Sequence, residues 1–178
     1  MNRYLSFTLY ATIIILTGII IMFLAYYPSN AVQYVVGIGM ILSSLFAFNA
    51  AWQGTNLPIP LKYHGLHAGG LLLYGLAILF FATDIHRFFS ITTFFLLYYG
   101  FIEMIFCFQL LMMKKMSTQL ILVRLFLGFG IALGAVLILS TSYIDNNLAL
   151  LGAGVIFIIS GINLIFFKTI LKKLDVTV

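Results

Sequence analysis

The segment RFFSITTFFLLYYGFIEMIFCFQLLMM, residues 87–113, decides the fold. At ~1.5 Å per helical residue it is long enough to cross a hydrocarbon core of ~30 Å. Glu103 lies near its middle and is the only acidic residue of the chain deep inside an apolar run. The run is continuously apolar. That excludes the strands of an outer-membrane barrel, in which lipid-facing and lumen-facing residues alternate.

Five more such runs surround it. We expect spans over about 5–27, 32–52, 64–83, 87–113, 119–142 and 148–170, separated by short polar turns. The bulk numbers agree: 63% of the 178 residues are hydrophobic and 7% are charged, and the mean hydropathy is +1.18. A soluble domain is nearer a quarter charged, so lipid is the solvent for most of this chain. The run after Arg3 is too long for a cleaved signal peptide, and bulky Tyr26-Tyr27-Pro28 stand where a small-residue cleavage site belongs.

The net charge is +5. The basic residues fall in turns between apolar runs and form no aromatic-interleaved stripe, so no nucleic-acid footprint is expected. Arg3, Lys62, Lys114, Lys115, Arg124, Lys168, Lys172 and Lys173 lie on or near one side, and only Arg87 on the other. By the positive-inside rule both termini are cytoplasmic. Trp52 then fits the inner interface, and Tyr26, Tyr27 and Tyr143 the outer one. The expected partners are anionic headgroups at the cytoplasmic face and a membrane-protein partner or a second copy.

A repeat is legible. Leu16-Thr17-Gly18, Leu73-Tyr74-Gly75 and Ala132-Leu133-Gly134 each place a glycine in an aliphatic run, followed by a polar turn. A second small residue follows in each unit: Ser43 or Ser44, Gly100 and Gly161. We therefore expect an all-α integral membrane protein, with six transmembrane helices forming three helical-hairpin repeats around a pseudo-threefold axis along the membrane normal. It is a single membrane domain over 1–178, with repeats at approximately 5–53, 62–112 and 118–171. The four-residue spacings Gly39-xxx-Ser43, Gly65-xxx-Gly69 and Gly130-xxx-Gly134 are expected to be helix-packing stripes.

The hairpin texture resembles the HdeD-like family of bacterial inner-membrane proteins. It is carried best by Ile158-Ile159-Ser160-Gly161-Ile162-Asn163-Leu164-Ile165 and by Tyr99-Gly100-Phe101-Ile102-Glu103. Family members often carry a proline in the outer turn; here only the first turn has one, Pro28. The resemblance implies a six-span protein of the bacterial cytoplasmic membrane with a link to acid stress. It brings no catalytic residues.

Three groups of side chains are candidate sites. Glu103 is costly at this depth unless protonated, paired or facing water. The turn at 114–117 makes the fourth and fifth spans antiparallel and sets Arg124 within ~4–5 Å of the height of Glu103. Asn163 should lie level with them. The three form a candidate buried polar network: an ion pair locking two spans, a protonated hydrogen-bonded carboxyl, or a proton- or ion-handling site. Asp84, His86 and Arg87 form a candidate pH-sensitive outer turn. His64 and His67 sit at i and i+3 near the inner end of the third span, where interfacial capping and headgroup contact are expected; a zinc site needs a third ligand, and none is near. Asp145-Asn146-Asn147 should cap the sixth helix. Cys107 is a core residue, and no cofactor or metal is expected. The expected function is non-enzymatic, in stress tolerance or as an accessory membrane component. The alternative is a small transporter or channel with Glu103 in its path.

Overall fold

The computed structural model describes residues 3–27, 31–53, 61–113 and 118–176. It contains six helices: α1 (Arg3–Tyr26), α2 (Ala31–Trp52), α3 (Leu61–Phe81), α4 (Ile85–Met113), α5 (Thr118–Ser142) and α6 (Asn146–Val176). Helix is what uninterrupted apolar sequence must form in lipid, because it satisfies every backbone N–H and C=O within the segment. Among the described residues, five of the six are long and apolar enough to cross a membrane, and α3 contributes an apolar stretch over Gly65–Phe81. Two starts are set by carboxylates. Asp84 accepts the Arg87 N–H at 2.9 Å at the head of α4, and Asp145 accepts the Asn147 N–H at 2.8 Å at the head of α6. The α6 helix runs past the apolar limit expected from sequence and carries its last turns beyond Lys168. The first turn (Pro28, Ser29, Asn30) and Lys114 and Lys115 lie outside the described residues, as do the side chains of Lys62, His64, Lys172 and Lys173.

Each helix packs on its neighbours in the chain, and α6 closes back on α1. The closest packing is in α1/α6, α2/α3 and α4/α5. Glycine explains each of these three. A Cβ on Gly18 would stand 2.7 Å from the Gly154 carbonyl oxygen, one on Gly75 2.8 Å from that of Gly37, and one on Gly100 2.8 Å from that of Gly128. The backbones touch because neither side carries a side chain. Of the small-residue stripes expected from spacing alone, Gly39-xxx-Ser43 packs, with Gly39 against the Thr17 side chain of α1 and Ser43 buried, and the other two need correction. Among the described residues, Gly65, Gly69 and Gly130 meet nothing within 4 Å, while Gly134 meets only the Ile156 side chain. Spacing marks a smooth stripe but does not say which face of the helix meets a neighbour.

The interior is aromatic, with Phe7, Tyr10, Phe88, Phe89, Phe106, Phe157 and Phe167 fully buried. Large apolar side chains such as Phe80, Phe94, Leu73 and Phe126 point outward and are mostly exposed. Such a surface suits hydrocarbon.

Candidate functional site: a buried ion pair in an aromatic cage

Glu103 of α4 is wholly buried and Arg124 of α5 nearly so, at 0% and 5% exposure. The guanidinium grips the carboxylate with two bonds: Nε donates to Oε2 at 2.5 Å and Nη2 to Oε1 at 2.8 Å. This planar fork is the strongest way to pair the two groups. Tyr63 of α3 completes it. Its hydroxyl donates to Glu103 Oε1 and accepts from Arg124 Nη2 at 3.0 Å. Three helices are thereby tied at one point.

Aromatic rings exclude water from the pair. The guanidinium carbon lies 4.0 Å from the Phe167 ring centroid and 5.0 Å from that of Phe106. Tyr63 stacks on Phe106 at 3.9 Å. A cation held over ring faces in a dry site gains from the ring quadrupoles as well as from its counter-ion.

A second layer lies one turn farther along α3. His67 is 2% exposed, lies 4.5 Å from the Tyr99 ring, and shares a hydrogen bond between its Nδ1 and the Tyr10 hydroxyl of α1. This corrects the expectation of an interfacial histidine. The α3 helix begins at Leu61, so His67 is six residues, ~9 Å, inside it, and it shares the interior face of Tyr63 at i+4. Asn163 of α6 is buried at 3% exposure beside the Tyr99 hydroxyl, and it makes no hydrogen bond to Glu103 or Arg124. Tyr99 Oη, Asn163 Nδ2 and Arg124 Nη1 are all buried without a partner of good geometry. Five of the six helices contribute to the cluster.

Tyr63 and Tyr10 are the functional side chains that sequence reasoning missed. Tyr63 falls on the expected boundary of the third span and so looks like an interfacial ring. Its spacing of four from His67 was the available signal. Other polar residues lie elsewhere. Asn49 donates to Ser6 Oγ at 2.6 Å and accepts from Gln53, and Gln109 faces outward.

At the opposite end of the bundle, Asp84 caps α4 and faces Arg87 Nε at 3.4 Å, both side chains exposed. The Arg87 backbone N–H, with help from the Thr83 hydroxyl and the Arg87 charge, holds the Asp84 carboxyl below its ordinary range. The His86 ring stacks on Tyr143 at 6.0 Å, joining this turn to the one between α5 and α6. Among the described residues, no three His, Cys, Asp or Glu side chains are placed to hold a metal ion.

No family model, curated protein or solved structure matches the chain.

Proposed function

We propose that this chain is a non-enzymatic, six-span protein of the bacterial cytoplasmic membrane, both termini inside, that serves in acid-stress tolerance or as an accessory to another membrane component. The stress role rests on the resemblance to the HdeD-like family. The role of the site rests on one observation: both oxygens of Glu103 are spent on Arg124 and Tyr63. A carboxylate so occupied is a lock between helices. Removing either partner strands a charge in a dry interior.

The architecture we propose with it is three hairpins around a pseudo-threefold axis. Two facts support it. Each glycine crossing joins the second helix of one hairpin to the first helix of the next, with α6/α1 closing the circle. Tyr10, His67 and Arg124 recur at a spacing of 57 residues on α1, α3 and α5 and all enter the same buried cluster. Terminal reporter fusions test the orientation; a reporter active only outside the cytoplasm should be silent at both ends. Acid-shock survival of cells lacking the protein tests the role. Wild type should restore survival and Glu103→Gln should not, at matched expression. Equal rescue by both would remove Glu103 from the function.

A transporter or channel is the second reading, favoured by the buried Tyr99, Asn163 and Arg124 atoms around the pair that lack a partner of good geometry. It requires the purified chain to pass protons or ions across vesicles, with Glu103→Gln reducing the flux.

A further inference from the structure

The α1/α6 seam ends in a cationic corner. The two helices run antiparallel in a register fixed by Gly18 against Gly154, Ala11 and Ile15 against Gly161, and Thr8 against Lys168. Continuing that register brings Arg3, the first residue of α1, level with Lys172 and Lys173 on the last turns of α6. The sequence places one carboxylate, Asp175, in this stretch against four cations.

Two of these cations are held in place. Lys168 Nζ donates to Thr8 Oγ1 at 2.8 Å, and that hydroxyl donates in turn to the Tyr4 carbonyl. The Arg3 guanidinium carbon lies 5.9 Å from the Phe7 ring centroid, and Phe7 packs edge-on against Phe167. Neither cation pairs with a carboxylate among the described residues, and Arg3 Nε is buried with no hydrogen-bond partner. Both border long uncharged runs, residues 4–26 of α1 and 146–167 of α6, which sets them at headgroup depth. Five residues of α1 separate Arg3 from Thr8, so the two charges are staggered by ~7–8 Å along the seam. Exposed Leu5, Ile162 and Phe166 provide apolar surface beside them.

We propose that this corner is a stoichiometric binding site for the phosphate of an anionic phospholipid, held by Arg3 and Lys168, with the acyl chains against the apolar flank. It differs from diffuse attraction of lipid to a basic surface, because both cations are preoriented, Lys168 by Thr8 and Arg3 over the Phe7 ring. It requires only that the helices span a bilayer and is independent of the stress role.

The test is native mass spectrometry of the full-length chain released from detergent, titrated with phosphatidylglycerol or with phosphatidylcholine. One phosphatidylglycerol should be retained per chain, and phosphatidylcholine should not. Arg3→Gln/Lys168→Gln should weaken retention by at least roughly tenfold, while Lys114→Gln/Lys115→Gln, which removes the same charge, should change it less than about twofold. Arg3→Lys/Lys168→Arg should keep it, and helicity by circular dichroism confirms that each variant is folded. Equal retention of both lipids, or equal loss in the two Gln pairs, overturns the site. Displacement of the lipid by excess inorganic phosphate would assign the corner to a soluble phosphate compound and overturn the lipid.

Discussion

Gly100 and Gly128 bring the α4 and α5 backbones into contact one turn from the Glu103–Arg124 pair. A Cβ on Gly100 would lie 2.8 Å from the Gly128 oxygen, and one on Gly128 would lie 3.1 Å from the Glu103 Cβ. The other two glycine crossings lie six and eight residues from the helix ends opposite the termini. This one lies fourteen to fifteen residues in, about 10–13 Å deeper. The displacement places the closest approach of α4 and α5 at the height of the ion pair, so a buried arginine meets its carboxylate with a two-bond grip.

Substitutions at the glycines should therefore split by contact. Gly100→Ala and Gly75→Ala drive a methyl into a carbonyl oxygen and should each cost ~1–3 kcal/mol. Gly65→Ala and Gly69→Ala meet open space and should be neutral or slightly stabilising through better helix propensity. Thermal unfolding in detergent, read by circular dichroism, would show two groups of melting points. A loss at Gly69 equal to that at Gly75 would mean that the α3 outer face is packed against something in the preparation.

Single and double changes at the pair should behave differently. Glu103→Leu alone leaves the Arg124 charge buried and uncompensated, as does Arg124→Met for Glu103. Each should destabilise by ~3–5 kcal/mol. The double variant replaces the pair by apolar volume and should recover most of that loss. A double-mutant cycle in the same unfolding assay measures it. Additive single effects would show that the two residues act separately.

Much of this site was legible before the structure. A lone carboxylate in an apolar run needs a partner, and counting residues from one turn finds Arg124. Counting fixes height only to about a turn and leaves azimuth open, and Asn163 accordingly lies beside the Tyr99 hydroxyl and bonds to neither member of the pair. The same lack of azimuth hid the open faces of Gly65 and Gly69. His67 reads as interfacial because Lys62 looks like the end of a span, and Tyr63 falls on that same boundary. The α3 helix starts earlier, at Leu61, and its first interior-facing turn already belongs to the core.

Tyr63→Phe removes a single oxygen. That oxygen donates to Glu103 and accepts from Arg124, so two charge-assisted bonds are lost while the stack on Phe106 stays. The expected cost is ~1.5–3 kcal/mol, the range for hydrogen bonds to charged groups. It should shrink in the Glu103→Leu/Arg124→Met background, where both charged partners of the hydroxyl are gone. A cost that persists there undiminished would mean that the hydroxyl acts through a partner other than the ion pair.

The turn at Asp84 carries the pH dependence that can be worked out. The folded carboxyl of Asp84 lies below its ordinary 3.8, so the unfolded chain binds the proton more readily. Its stabilising contribution is therefore full above the ordinary value and fades as pH falls through the lower folded one. Asp84→Ala removes both the cap and the charge. Asp84→Asn keeps a competent cap, because asparagine accepts the same N–H, and loses only the charge and its screened contact with Arg87. At neutral pH the order of melting points should be wild type, Asp84→Asn, Asp84→Ala. Below about pH 4 wild type should fall toward Asp84→Asn while Asp84→Ala stays lowest. A wild-type curve parallel to that of Asp84→Asn down to pH 3 would show that the Asp84 carboxylate contributes nothing, and the turn would then have no acid-sensitive carboxyl.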